Sequence, residues 1–88
     1  MLEKRKILEV RTKLELSQEG MARLLDVSFA SVNRWEQGHS NPGGMVEEVY
    51  RALDAALKRG KSPAQILGDG REDKGRLLHR LFRLAYGG

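Results

Sequence analysis

The chain has 88 residues, 40% of them hydrophobic and 32% charged, with sixteen Lys and Arg against twelve Asp and Glu. So short a chain forms one small domain, and without cysteine it has no disulfide or thiolate metal site to staple it. The net charge of +4 favours polyanionic partners only mildly.

The opening "MLEKRKILEV" lacks the apolar core of a signal peptide. No uninterrupted apolar run approaches the roughly 18 residues of a membrane span. A cytoplasmic protein with no membrane partner is the expectation. Helical periodicity dominates and no alternating strand pattern occurs, so the class is all-α. A first helix is predicted from about Leu2 to Lys13, with Ile7, Val10 and Leu14 along one stripe and Arg11 inside it. In the turn "LELS", Ser17 is an N-cap and Glu19 lies near the positive end of the following helix dipole, predicting a second helix over Gln18 to Leu25. Asp26 follows where a tight turn needs a residue that tolerates positive φ. Ser28 then caps a third helix that ends near Gly38.

Beyond the loop "NPGG", Val46, Val49, Tyr50, Leu53, Ala56 and Leu57 mark a fourth helix that stops before Gly60. In "KSPAQILGDG", Ser62 caps a short fifth helix and Pro63 suits its first position, with Ile66 and Leu67 turned inward. From about Glu72 to Tyr86, Leu77, Leu78, Leu81, Leu84 and Ala85 share one side while Arg76, Arg80 and Arg83 share another. The excess charge concentrates here: up to Arg59 there are ten basic and nine acidic residues, and beyond it six and three.

On a wheel of about 100° per residue, the third helix separates into two faces. Val32 and Trp35 point toward Val27, Leu25, Met21 and the fourth helix. Phe29, Ala30, Asn33, Arg34 and Gln37 point away. Arg pairs bidentately with guanine, Asn with adenine, and Phe or Ala touches a thymine methyl, so this outward set suits major-groove readout. Phe29 has other readings, a place in the core or in a dimer contact, and each polar residue could be solvated surface.

Two short helices joined by a tight turn, "SQEGMARLL" and "SFASVNRWEQG", have helix-turn-helix spacing. The segment "VRTKLELSQEGMARLLDVSFASVNRWEQGHSNP" resembles the Cro and phage-repressor type, the XRE family. The shared positions are Leu16-Ser17-Gln18, Met21-Ala22, Leu25, Val27-Ser28, Val32, Trp35-Glu36 and Gly38. The resemblance implies a five-helix, lambda-repressor-like DNA-binding domain over residues 1–70; residues 71–88 lie outside it and are read from their periodicity as an additional C-terminal amphipathic helix. It implies base contacts from Phe29, Ala30, Asn33 and Arg34 and phosphate contacts from Gln18, Ser28, Gln37 and Asn41. It also pairs Arg11 with Glu36 in a partly buried salt bridge. Gly20 departs from the pattern by breaking a Ser-x-x-Glu capping box, and Asp26 stands where the family commonly has glycine.

The expected function is that of a transcriptional regulator binding double-stranded DNA as a homodimer. An antitoxin-like regulator with a toxin partner, or the N-terminal module of a larger protein, is the alternative. The last helix could complete the core, pair with its counterpart in a dimer, or lie on flanking phosphate; the dimer role is preferred for its apolar stripe. No enzyme is expected, because no nucleophile–base set, carboxylate pair or phosphate-binding glycine loop is evident. His39 and His79 are too far apart to form a metal-ligand motif, so no metal or other cofactor is expected.

Overall fold

The structure, a computed structural model, describes residues 1–87. Among them lie six helices and no strand: α1 (Lys4–Lys13), α2 (Gln18–Leu25), α3 (Phe29–Glu36), α4 (Gly44–Lys58), α5 (Pro63–Leu67) and α6 (Lys74–Tyr86). The all-α class is as the periodicity predicts. Helix starts follow the side chains that can satisfy first-turn amides. Ser17 Oγ accepts from the Gly20 amide, Ser28 Oγ from Ser31 and Asp73 from Arg76. At α5 Ser62 and Gln65 form a reciprocal capping box, with Pro63 in the first turn.

Several boundaries shift from the sequence reading. α1 begins at Lys4 because the backbone at Glu3 is extended, with ψ 146°. α3 stops at Glu36, and Gly38 takes φ +79° to turn the chain back. α6 starts two residues later than expected, at its Asp73 cap.

α4 is the central rod. Its Val49, Tyr50, Ala52, Leu53 and Ala56 are buried against Ile7, Val10 and Leu14 of α1 and its adjoining turn, Met21 of α2, Val32 of α3 and Leu81 of α6. Trp35 packs at the edge of this core, its ring meeting that of Tyr50 edge-on at 6.2 Å between centroids. The inward assignment of Val32 and Trp35 therefore matches their places in the fold. α6 is integral to the same core through Leu81 and Ala85. Of its arginines, Arg80 is only partly exposed: it pairs with Glu72, and its guanidinium donates to the carbonyls of Gln65 and Ile66 at 3.1 and 3.0 Å. The guanidinium lies over Gly68, where a Cβ would come within 2.8 Å of it. No helix among the described residues is long and apolar enough to cross a membrane.

Candidate nucleic-acid interface

The interface is assembled by the turn between α2 and α3. Asp26 adopts the left-handed conformation, φ 59° and ψ 47°. The Val27 amide reaches back to the Ala22 carbonyl at 3.0 Å and the Asp26 amide to that of Arg23 at 3.3 Å. This Schellman ending reverses the chain within two residues and sets the angle between α2 and α3. With Val32 fully buried, the opposite side of α3 is committed to the surface. Phe29 is 49% exposed, so it neither folds into the core nor is covered by the same chain. Ala30, Arg34 and Gln37 are exposed beside it and Asn33 is half-buried.

Behind this face stands an ion pair. Arg11 Nε and Nη2 donate to the two carboxylate oxygens of Glu36 at 2.5 and 2.9 Å, while Nη1 donates to the Leu16 carbonyl at 2.9 Å. The Glu36 side chain is only 6% exposed. The hydrogen bond to Glu36 holds the Arg11 guanidinium above its already high ordinary pKa, against the opposing effect of partial burial. Tyr50 is close to the same charges: burial pushes its phenol well above the ordinary value, and the Glu36 charge adds to the effect.

From Glu36 a relay runs outward. Gln18 Nε2 donates to Glu36 Oε1 at 2.9 Å and lies 3.4 Å from Asn33 Oδ1, which also accepts from Gln37 Nε2 at 3.2 Å. The buried pair thereby orients three of the polar side chains singled out in the sequence. Two consequences bear on their roles. Gln18 turns its amide nitrogen inward, leaving the α2 first-turn main chain as its route to a phosphate. Asn33 has its oxygen engaged, so its NH2 group is the part free to reach outward.

Ser28 and Asn41 also have partners within the chain. The Ser28 hydroxyl caps α3 and lies 2.9 Å from the Ser31 hydroxyl. The Asn41 side chain is engaged at both ends: Oδ1 accepts from the Leu2 amide at 3.2 Å and Nδ2 donates to the Leu2 carbonyl at 2.5 Å. Its side chain in this arrangement holds the segment that precedes α1. Sequence reasoning had no access to the Leu2–Asn41 clamp or the Gln18–Asn33–Gln37 relay. Both join residues whose proximity exists only after α1, α2 and α3 have packed.

Residues 7–46 match a protein-family model described as helix-turn-helix. No curated protein and no solved structure matches the chain. The matched span runs from the first buried residue of α1 to the start of α4 and contains the entire α2–turn–α3 unit. Residues 7–46 are thus a helix-turn-helix of the Cro and phage-repressor type, and the protein is, in that general sense, a DNA-binding regulator.

Proposed function

We propose that the protein is a sequence-specific transcriptional regulator that places α3 in the major groove and acts as a homodimer. One observation carries this reading: on a helix sealed to the core by Val32, the free side presents Phe29, Ala30 and Arg34 to solvent. Arg34 supplies the principal direct readout as a bidentate donor to guanine. Asn33 contributes its NH2 group, and Phe29 and Ala30 offer apolar contact to a thymine methyl. The first turn of α2 and the ends of α3, at Ser28 and Gln37, lie along the backbone phosphates.

The dimer reading draws support from the outer side of the chain. Tyr86 and Met45 are 58% and 64% exposed. Phe82 stacks on Tyr86 with ring centroids 6.0 Å apart. A second copy covering this face would remove apolar surface from water. Two-fold symmetry would repeat α3 one helical turn of DNA away, about 34 to 36 Å. On this division, residues 1–70 bind DNA and residues 71–88 join the copies.

Selection of duplexes from a random pool, with mass measurement of the complex, tests both parts. A palindromic consensus bound by two copies is expected. Arg34→Ala should weaken binding by about 1 to 3 kcal/mol and relax preference at one base position. An unchanged preference would remove Arg34 from the readout.

A further inference from the structure

The Leu2–Asn41 clamp fixes the segment that enters α1. Asn41 sits in the loop that follows α3 and uses both atoms of its amide on the amide and carbonyl of one residue. The Leu2 side chain is 6% exposed and belongs to the core. The segment entering α1 is therefore fixed by two main-chain hydrogen bonds and one buried side chain, all beside the end of α3.

Two residues on, Lys4 crosses the end of that helix. A Cβ built on Gly38 would lie 3.0 Å from Lys4 Cδ, so the lysine stem passes directly over the glycine that terminates α3. Gly38 is required for its positive φ, and a side chain there would press on the lysine stem. A stem laid along backbone is the usual packing of a long cationic side chain.

Three of the other four cations of α1 have partners, while Arg5, like Lys4, is exposed with no carboxylate within ion-pair distance among the described residues. Lys6 faces Glu9 and Asp54, Arg11 faces Glu36, and Lys13 faces Glu9. Lys4 is exposed and has no carboxylate within ion-pair distance among the described residues. A cation whose stem is positioned and whose charge is left unneutralised, next to the C-terminal end of the recognition helix, is suited to an anion supplied from outside.

We infer that Lys4 is a DNA-backbone contact and that Asn41 is its positioning residue, acting through Leu2. The inference rests on the placement of α3 in the groove and extends that interface to the start of α1. The bound anion is a backbone phosphate, so Lys4 adds affinity without reading sequence.

The test uses the full chain and a 30-base-pair duplex that it has itself selected from a random pool, with affinity measured across a salt series. Lys4→Met keeps the stem and removes the charge. It should make the slope of log K against log salt shallower by about 0.9, the value for one phosphate contact. Base preference should be unaltered. Asn41→Ala should produce a similar change, and Lys4→Met should then add little to it. A slope equal to that of the unaltered chain in Lys4→Met overturns the contact and leaves Lys4 as a charge on the α3 carbonyl end. A full additional effect of Lys4→Met in the Asn41→Ala background overturns the positioning role. If Asn41→Ala does not fold, Leu2→Ala releases the same segment and takes its place in the cycle. Failure of the unaltered chain to bind any duplex at low salt would overturn the groove reading itself, an outcome distinct from binding with an unchanged slope.

Discussion

Two arginines tie the molecule together from opposite halves, Arg11 among α1–α3 and Arg80 among α4–α6. Each pairs with a carboxylate and also donates to main-chain carbonyls, Arg11 to Leu16 and Arg80 to Gln65 and Ile66. They differ in depth and in what lies next to them. Arg11 and Glu36 expose 17% and 6% of their side chains, whereas Arg80 and Glu72 expose 22% and 20%. Glu36 also receives Gln18, which leads on to Asn33 and the outward face of α3. Arg80 and Glu72 instead close the short α5 against α6. One device thus supports the outward face of α3 in the first half, and in the second half it finishes the core.

The largest expected effect separates the two pairs. Glu36→Ala leaves a guanidinium unpaired in a nearly closed site and removes the anchor of the Gln18 relay. It should cost about 3 to 5 kcal/mol. Glu72→Ala leaves Arg80 its two carbonyls and more access to water, so about 1 to 2 kcal/mol is expected. Gln37→Ala, at the exposed end of the relay, should stay within about 0.5 kcal/mol of the parent. Thermal unfolding of the three variants checks the order. Equal midpoints for Glu36→Ala and Gln37→Ala would show that burial of the pair has been misjudged.

The same contrast explains what was legible in the sequence. The helices of both halves announce themselves through local signals: Ser17, Ser28 and Ser62 as caps, Pro63 in a first turn, and apolar residues at helical spacing. Arg11 attracts notice because it interrupts an apolar stripe, and the family resemblance supplies its partner. Arg80 offers no such cue. It falls on the same side as Arg76 and Arg83, which reads as the basic face of an amphipathic helix, and its partners Glu72, Gln65 and Ile66 reach it only through the bend at Gly68. The contact of Asn41 with Leu2 is hidden in the sequence for a related reason. A polar residue in the expected phosphate loop looks available until Leu2, distant in sequence, folds back beside it.

A second way to sharpen the comparison is to titrate the site around Arg11. The Tyr50 hydroxyl is buried without a hydrogen-bond partner among the described residues. Burial raises its pKa above the ordinary value of 10.0, with the Glu36 charge adding and Arg11 opposing. The folded state therefore keeps this proton after the unfolded chain has lost it. The resulting stability is complete below about pH 10 and declines above it, by at most about 1.4 kcal/mol per pH unit. Lys6, raised by its hydrogen bonds to Glu9 and Asp54, pulls in the same direction, so the informative quantity is the difference between parent and Tyr50→Phe. The variant should match or exceed the parent at pH 7, since it removes an unsatisfied hydroxyl. It should also lose less stability between pH 10 and 11, as measured by denaturant unfolding. Parallel curves for the two proteins over that interval would place the phenol in contact with solvent.

The smallest effects concern the helix ends, where the left-handed turn residue is acidic after α1 and α2 and glycine after α3 and α4. α1 and α2 terminate through left-handed acidic residues, Glu15 at φ 60° and Asp26 at φ 59°, whereas α4 terminates through Gly60 at φ +84°. In each case the following amide returns to a carbonyl of the last turn: Leu16 to Arg11, Val27 to Ala22 and Lys61 to Ala56. The hydrogen bonds are equivalent and only the residue at the turn changes. A side chain with a Cβ is strained there, aspartate less than glutamate because its short carboxylate bonds locally. Glycine relieves that strain but loses more backbone entropy on folding, which offsets part of the gain. Glu15→Gly should therefore stabilise by about 0.5 to 1 kcal/mol and Asp26→Gly by less, with unfolding midpoints rising in that order. A fall in Asp26→Gly alone would mean that this carboxylate supports the turn between α2 and α3 beyond its backbone conformation, tying the angle of α3 to an acidic side chain.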